Sequence, residues 1–236
     1  LGIQEEEVGS KMKIPSLAVM SFLVMVGNAY AQQNTVYMEQ IGSGATINFT
    51  QTGVGNAIGN ATTKAIVNGN NNAVTVDQIG NTNIAALNVQ GDAATITSTT
   101  TGDGNSVTIN CGTSGDCSGS TISNTITGDG NQVTTNSDNL IDSTVNITTN
   151  NNTVTINNTS TAVSGAKSNI DISGGGGNQV ALTQAGAAGT NGHDATIAIV
   201  GATNNVDVRQ GGSNDSKVNA TVTGSGNALT IKSNHQ

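Results

Sequence analysis

The sequence contains no tryptophan, one proline and two cysteines, and only 2% of its 236 residues are aromatic and 9% are charged. Globular domains average roughly 25% charged residues and use aromatic side chains to fill their cores. These shortages argue against a conventional globular core, a coiled coil and a polytopic membrane protein. The formal net charge of −8 also leaves no basic patch that could neutralise the phosphates of a nucleic acid.

Small polar residues dominate instead. Asparagine, threonine and glycine are abundant, and the apolar residues are mainly valine and isoleucine, whose β-branched side chains favour strands. So polar a composition is otherwise typical of a disordered chain. Only a repeating pattern would favour a folded protein over disorder.

The N-terminal region has the pattern of an export signal. Met12 and Lys13 precede an apolar run over Ile14–Val26, and Ala29-Tyr30-Ala31 resembles a cleavage site. We predict a signal peptide over 12–31 and a mature chain over 32–236. Residues 1–11 contain three consecutive glutamates, Glu5–Glu7, and are interpreted as a gene-start artefact.

A repeat of eleven residues organises the mature chain. Glycines recur at this step, and three positions after each glycine stands asparagine or alanine, followed by alternating apolar residues. The asparagine anchors continue to the C-terminus at steps near 22, with weaker half-units such as Ile170-Asp171-Ile172 between them. The alternation predicts short strands, and the Gly/Asn clusters predict turns.

Strands this short and polar need neighbours to be stable. We therefore predict an all-β fold, a β-solenoid of strand-turn-strand coils with about 22 residues per coil. Sixteen strands would give about eight coils and a stack of roughly 38 Å. Inward asparagines and glutamines are expected to form amide ladders between coils. The predicted repeat and ladder residues are Gln40, Gly42, Gln51, Gly53, Asn56, Gly69, Asn72, Gln78, Gly80, Asn83, Gly102, Asn105, Asn131, Asn152, Asn178, Gln184, Asn204, Gln210 and Asn227.

The two cysteines, Cys111 and Cys117, are closely spaced. In an exported chain such a pair suggests a disulfide that closes a small loop, with free thiols as the alternative. A metal site is not expected there, because no further Cys or His is nearby.

The repeat resembles the curlin repeat, Q-x-G-x-x-N-x-A-x-x-x-Q. The best matches are Gln40-Ile-Gly42, Gln51-Thr-Gly53 and Gln78-Ile-Gly80 with the residues that follow them. The resemblance implies a secreted β-solenoid subunit of bacterial surface amyloid fibres, used in adhesion and biofilm matrix. It implies self-assembly into a homopolymer, a nucleating subunit and outer-membrane secretion machinery as partners, and a location outside the cell or on its surface. The Gly-rich targeting segment usual in curlins is missing between the predicted signal peptide and the repeats.

Other functions have weaker support. His193 lies in a Gly-rich segment and is interpreted as a solvated turn residue, and His235 is near the C-terminus. We expect no enzymatic activity and no cofactor, and the Gly-Asp-Gly-Asn segments at Gly102 and Gly128 are interpreted as tight turns rather than calcium sites. The alternative function is a monomeric surface-binding solenoid, such as an ice-binding protein or an adhesin or phage-fibre segment. Thr95-Ile-Thr97 and Thr153-Val-Thr155 motivate the ice-binding hypothesis.

The signal peptide is directly testable. We expect N-terminal sequencing of the secreted protein to begin at Gln32, because cleavage follows the small residue Ala31. A start far from this position would contradict the assignment.

Overall fold

The computed structural model describes residues 33–69, 72–89, 94–110, 112, 120–137, 141–160, 166–186 and 192–235. The predicted signal peptide and both cysteines lie outside these ranges. In the part of the chain that the structure describes, no helix is long and apolar enough to cross a membrane.

The described residues contain nineteen strands, which form two parallel sheets. Sheet 1 contains β1 (Thr35–Val36), β2 (Met38–Ile41), β4 (Ala57–Ile58), β5 (Ala65–Asn68), β7 (Ile84–Val89), β9 (Ser106–Ile109), β11 (Gln132–Ser137), β13 (Thr153–Ser160), β15 (Gln179–Gly186), β17 (Asn205–Gly212) and β19 (Ala228–His235). Sheet 2 contains β3 (Thr46–Thr52), β6 (Ala73–Ile79), β8 (Thr95–Thr101), β10 (Thr121–Thr127), β12 (Ile141–Ile147), β14 (Ala166–Gly174), β16 (His193–Gly201) and β18 (Ser216–Thr223).

The chain alternates between the sheets, so each coil contributes one level to each. In the first two levels of sheet 1 the strand is divided, into β1 and β2 and then into β4 and β5. Every described strand pairing is parallel, and each strand joins the equivalent one of the next coil. This confirms the predicted all-β solenoid. The half-units that looked weak in sequence, such as Ile170–Ile172, are strands of sheet 2.

The two corners of the coil differ. The turn from sheet 2 to sheet 1, which we call the asparagine corner, ends in asparagine in every described coil (53–56, 80–83, 102–105, 128–131, 149–152, 174–178, 201–204 and 224–227). Its length is the same in all of these coils except at 174–178, which is one residue longer. Successive asparagines at this corner are 21 to 27 residues apart. Most of this variation arises at the opposite corner, between a strand of sheet 1 and the next strand of sheet 2. The predicted 22 residues is thus near the lower end of the observed coil lengths.

The core is a thin layer between the sheets. Most inward positions on both sheets are valine, isoleucine, leucine or alanine, with buried serine, threonine, asparagine and glutamine at the others. Val133, Val154 and Val180 follow one another in one column of sheet 1, while Ile147, Ile172 and Ile199 do so in sheet 2. Because equivalent β-branched side chains stack directly on one another, the layer fills without aromatic residues.

Glycine occupies the first position of the asparagine corner in every described coil except one, where Thr149 stands. Gly102 has φ +123°, and a Cβ there would overlap the carbonyl oxygen of Gly128 in the next coil. The third position is less demanding: Gly104 has open space around it, and Thr82, Asn151 and Thr203 occupy this position elsewhere with φ between 54° and 58°. The close approach of the coils, rather than the turn alone, therefore dictates the first glycine.

We expect Gly102→Ala to lower the free energy of unfolding by about 3 kcal/mol, the upper end of the cost of backbone strain. The matched control in the same turn is Gly104→Asn, which should change it by less than ~0.5 kcal/mol because asparagine tolerates positive φ. Urea unfolding followed by circular dichroism measures both. Equal effects of the two substitutions would contradict the role assigned to coil contact.

Candidate functional site

A continuous column of asparagines runs along the asparagine corner. Its members are Asn34, Asn56, Asn83, Asn105, Asn131, Asn152, Asn178, Asn204 and Asn227. Each Oδ1 accepts the backbone N–H of the next asparagine at 2.9–3.0 Å. The members between the two ends are 0–1% exposed. Asn34 was not part of the predicted ladder, since no repeat glycine precedes it.

Asn131 illustrates the geometry. Its Nδ2 donates to Asn105 Oδ1 at 3.1 Å, and its own Oδ1 accepts both the backbone N–H and Nδ2 of Asn152, at 2.9 and 3.0 Å. In several coils Nδ2 also donates to the first glycine carbonyl of the following corner, as Asn105 does to Gly128 at 2.7 Å. An unpaired buried amide costs several kcal/mol, roughly 2–7 in apolar surroundings. The column satisfies each amide through its neighbours.

A second column lies outside the first, at the second position of the same turns. Asn81, Asp103, Asp129 and Asn150 each accept, through Oδ1, the backbone N–H of the preceding coil's equivalent residue at 2.6–3.0 Å. In this outer column the acceptor lies one coil after its donor, whereas in the buried column the acceptor lies one coil before its donor. The two aspartates therefore act as acceptors for turn amides. Among the described residues, no group of three or more His, Cys, Asp or Glu could hold a metal ion.

The predicted glutamines form two separate pairs. Gln51 Nε2 donates to Gln78 Oε1 at 2.8 Å at the end of sheet 2, and Gln184 Nε2 donates to Gln210 Oε1 at 2.9 Å at the end of sheet 1. Gln40 faces Val67 of the next level, so no glutamine ladder forms there. Glutamine therefore occurs next to the asparagine corner in sheet 2 and next to the opposite corner in sheet 1.

Three predicted repeat residues lie at the opposite corner. Gly42 and Gly69 stack on one another there, and a Cβ on Gly42 would overlap the Gly69 carbonyl oxygen. Asn72 is not part of the asparagine column: its stacking neighbours are Ala45 and Ala94, and its Nδ2 donates to Asn68 O at 3.2 Å. The sequence around Asn72 looks like that around Asn83, but the two belong to different corners.

His193 is not a solvated turn residue as the sequence indicated, because it is 0% exposed. It begins β16 at a position that alanine, serine, asparagine or isoleucine holds in the other coils. Nε2 lies 3.0 Å from Ala185 O, so it carries the proton, and Nδ1 lies 2.9 Å from Ser216 Oγ. Gln210 Nε2 donates to the same hydroxyl at 3.1 Å. A histidine with both nitrogens bonded inside the stack is a structural residue.

Sequence reasoning missed the serines that complete this buried network. Ser168 Oγ donates to Gln184 Oε1 at 2.6 Å, and Ser216 links Gln210 to His193. Ser216 opens β18 at the position of His193 one coil earlier, whereas Ser168 is the third residue of β14 and lies beside Ala195. Since neither belongs to the Gly/Asn motif, the motif alone could not find them.

Charged groups are few and exposed. The described ion pairs are Lys64–Glu39 at 3.1 Å, Arg209–Asp207 at 2.9 Å and Lys217–Asp194 at 3.3 Å. The hydrogen bond and negative charge of Asp207 raise the pKa of Arg209. Arg209 and Asp207 line a shallow groove of about 320 Å³ on the outward face of sheet 1. The groove contains an ion pair already satisfied within the chain, and no arrangement of acid, base and nucleophile.

Among the described residues, the first and last coils leave the core columns open. Leu229 and Ile231 in β19 are only partly buried, whereas the equivalent Val206 and Val208 of β17 are 0% exposed. Val36 and Met38 are likewise partly buried at the other end. Within the described residues β19 pairs with β17 alone, so one side of its backbone has no strand partner. These two ends and the columns that reach them are the candidate site.

The buried column can be tested at Asn131. We expect Asn131→Asp to lower the free energy of unfolding by about 3–5 kcal/mol, because a buried carboxylate would face Asn105 Oδ1 without a donor. Asn157→Asp is the control: Asn157 points outward from sheet 1, and its change should stay within ~0.5 kcal/mol. Urea unfolding at neutral pH distinguishes them, and similar losses would contradict the role of the column.

No family model matches the chain, and no curated protein or solved structure matches it either.

Proposed function

We propose that the chain is the structural subunit of an extracellular, curli-like amyloid fibre that grows by end-to-end stacking of solenoids. The observation that carries this proposal is the pair of open end coils. Leu229 is partly buried while Val206, one level earlier in the same column, is fully buried. A second copy stacked on β19 would bury Leu229 and Ile231 as the preceding coils are buried.

The asparagine column supports a head-to-tail direction. Each Oδ1 accepts the N–H of the following coil, so Asn227 Oδ1 of one copy is oriented to accept the Asn34 N–H of the next. Because both end levels belong to sheet 1, the contact begins as pairing of β19 with the β1–β2 level. Sheet 2 would be one strand short at this junction. Sheet 1 and the asparagine column would therefore carry the contact.

The resemblance to curlin repeats supplies the biological part of the proposal. Gln51-Thr-Gly53 and Gln78-Ile-Gly80 carry the motif, and in this fold their glutamines pair and their glycines allow close coil contact. Fibres of this kind on a bacterial surface would serve adhesion and biofilm matrix. The export signal predicted over 12–31 agrees with a location outside the cell.

The ice-binding alternative gains nothing from the residues that motivated it. Thr95 and Thr97 belong to β8 of sheet 2, while Thr153 and Thr155 belong to β13 of sheet 1. The two pairs face opposite sides of the solenoid and form no common row of hydroxyls.

End-to-end growth can be tested with variants blocked at one end. We expect the wild-type chain to form thioflavin-positive fibres that seed further growth. Val36→Lys and Leu229→Lys should each prevent fibres, because a lysine would enter the apolar column at one end of the stack. Both side chains are partly exposed in the single copy, so the lysines can reach solvent and leave its fold intact.

A mixture of the two variants gives the sharper result. The unblocked ends of Val36→Lys and Leu229→Lys should pair into dimers that cannot extend, as measured by analytical ultracentrifugation and electron microscopy. Thr230→Lys, which changes the outward neighbour in β19, is the control and should still form fibres. A wild-type chain that stays monomeric at high concentration for days would refute the proposal.

A further inference from the structure

On the outward face of sheet 2, the adjacent strands β8 and β10 form an ordered array of small hydroxyl side chains. Strands β8 and β10 are in register over their whole length, so Thr97 lies beside Ser123 and Thr99 beside Thr125. Their outward residues are Thr95, Thr97, Thr99, Thr101, Thr121, Ser123, Thr125 and Thr127. None of these hydroxyls makes a hydrogen bond within the described residues. The two strands present no charge on this face.

This composition is that of a zipper-forming surface. Thr95–Thr101 and Thr121–Thr127 are seven-residue segments rich in β-branched residues, without charge, proline or glycine. Such segments pack face to face across paired sheets in stacked β-assemblies. We propose that a second copy of this chain packs against the outward face of sheet 2, so that the fibre is a pair of laterally joined stacks. The inference rests on the proposed fibre.

The size of the face agrees with a stable contact. Eight strands about 4.8 Å apart, which share seven levels of residues about 3.3 Å apart, make a surface of roughly 38 by 23 Å. This corresponds to about 870 Å² per copy, close to the roughly 800 Å² that each partner buries in a standard interface.

The charges are compatible with two stacks that have parallel axes. Asp142, Lys167, Asp194 and Lys217 form one column at the start of the sheet 2 strands. A two-fold axis along the stack brings this column opposite the last outward column, which holds Thr148, Ser173, Val200 and Thr223. Like charges therefore do not meet.

The same two-fold rotation also gives a hydrogen-bond partner to the two remaining carboxylates on this face, those of Asp77 and Asp171. It sets Asp77 across from Thr75, and Asp171 across from Asn169, so each carboxylate faces a hydrogen-bond donor. Parallel axes also allow both stacks to grow in one direction.

A pair of lysine variants tests the lateral contact. In Thr99→Lys/Thr125→Lys, two adjacent lysines stand at the centre of the face. In the control, Thr134→Lys/Thr155→Lys, two adjacent lysines stand on the outward face of sheet 1. We expect both to form fibres, but the sheet 2 variant should show half the mass per length of wild type by scanning transmission electron microscopy. An unchanged mass per length would overturn the inference.

A second measurement covers the case in which the lysine variants fail to assemble. In wild-type background, Thr125→Cys should become protected from maleimide on assembly, whereas Thr155→Cys should stay reactive, each compared with the parent chain. Equal reactivity of the two would overturn the lateral contact. The lateral contact would also be overturned if the wild type showed thermal hysteresis and Thr99→Lys/Thr125→Lys lost it while the fibre mass per length stayed the same. The face would then bind an ice lattice rather than a second copy.

Failure of the two proposals can be told apart. If the wild type forms no fibres but sediments as a dimer that Thr99→Lys/Thr125→Lys dissociates, the lateral contact holds and the end-to-end fibre fails. If it forms fibres with the mass per length of one stack, the fibre holds and the lateral contact fails.

Discussion

Parallel strands in unbroken register impose one constraint on this protein: each side chain must be compatible with its equivalent about 4.8 Å above and below it. Valine and isoleucine meet the constraint by stacking as apolar columns, and asparagine meets it by bonding to its own kind. Charged residues meet it poorly, because like charges in one column repel one another. The low charge of the chain follows, and in the longest charged column, from Asp142 through Lys167 and Asp194 to Lys217, the signs alternate. Where like charges stack, as in Asp103 beside Asp129 and Arg209 beside Lys232, the side chains are exposed to solvent.

The asparagine corner combines two ladders of opposite polarity. In the buried column the acceptor lies one coil before its donor, as Asn105 Oδ1 does for Asn131 N–H. In the outer column the acceptor lies one coil after it, as Asp129 Oδ1 does for Asp103 N–H. Neighbouring corners are therefore tied in both directions. This agrees with a corner length that changes by at most one residue, while the opposite corner varies more widely.

The repeat of glycine and asparagine was sufficient to predict the solenoid, because the asparagine corner obeys one rule in every coil. It could not assign residues to corners. Asn72 and Asn83 follow the same local pattern, yet only Asn83 has an asparagine above and below it. The deciding information is the identity of residues more than twenty positions away. Insertions at the opposite corner hide that relationship in the sequence.

The burial of His193 is not predictable from the sequence for the same reason. Its glycine-rich surroundings indicate an exposed turn, but its partners Ser216 and Ala185 come from the next level and from the opposite sheet. Thr95 and Thr153 look like parts of one row until the strands are assigned to sheets. Period and composition predict what a residue contributes to its own coil. They do not predict which residue lies above it.

A stack held by contacts between neighbours gains stability from each level added, wherever that level comes from. The interior here contains few large side chains, so a large share of its stabilisation comes from these contacts between levels and little from within a coil. The end levels lack one neighbour, which is why Leu229 and Ile231 are less buried than Val206 and Val208. The same residues that hold the coils of one chain together are those that another copy would extend. In such a protein the interactions that fold the chain and those that would join two chains are of one kind.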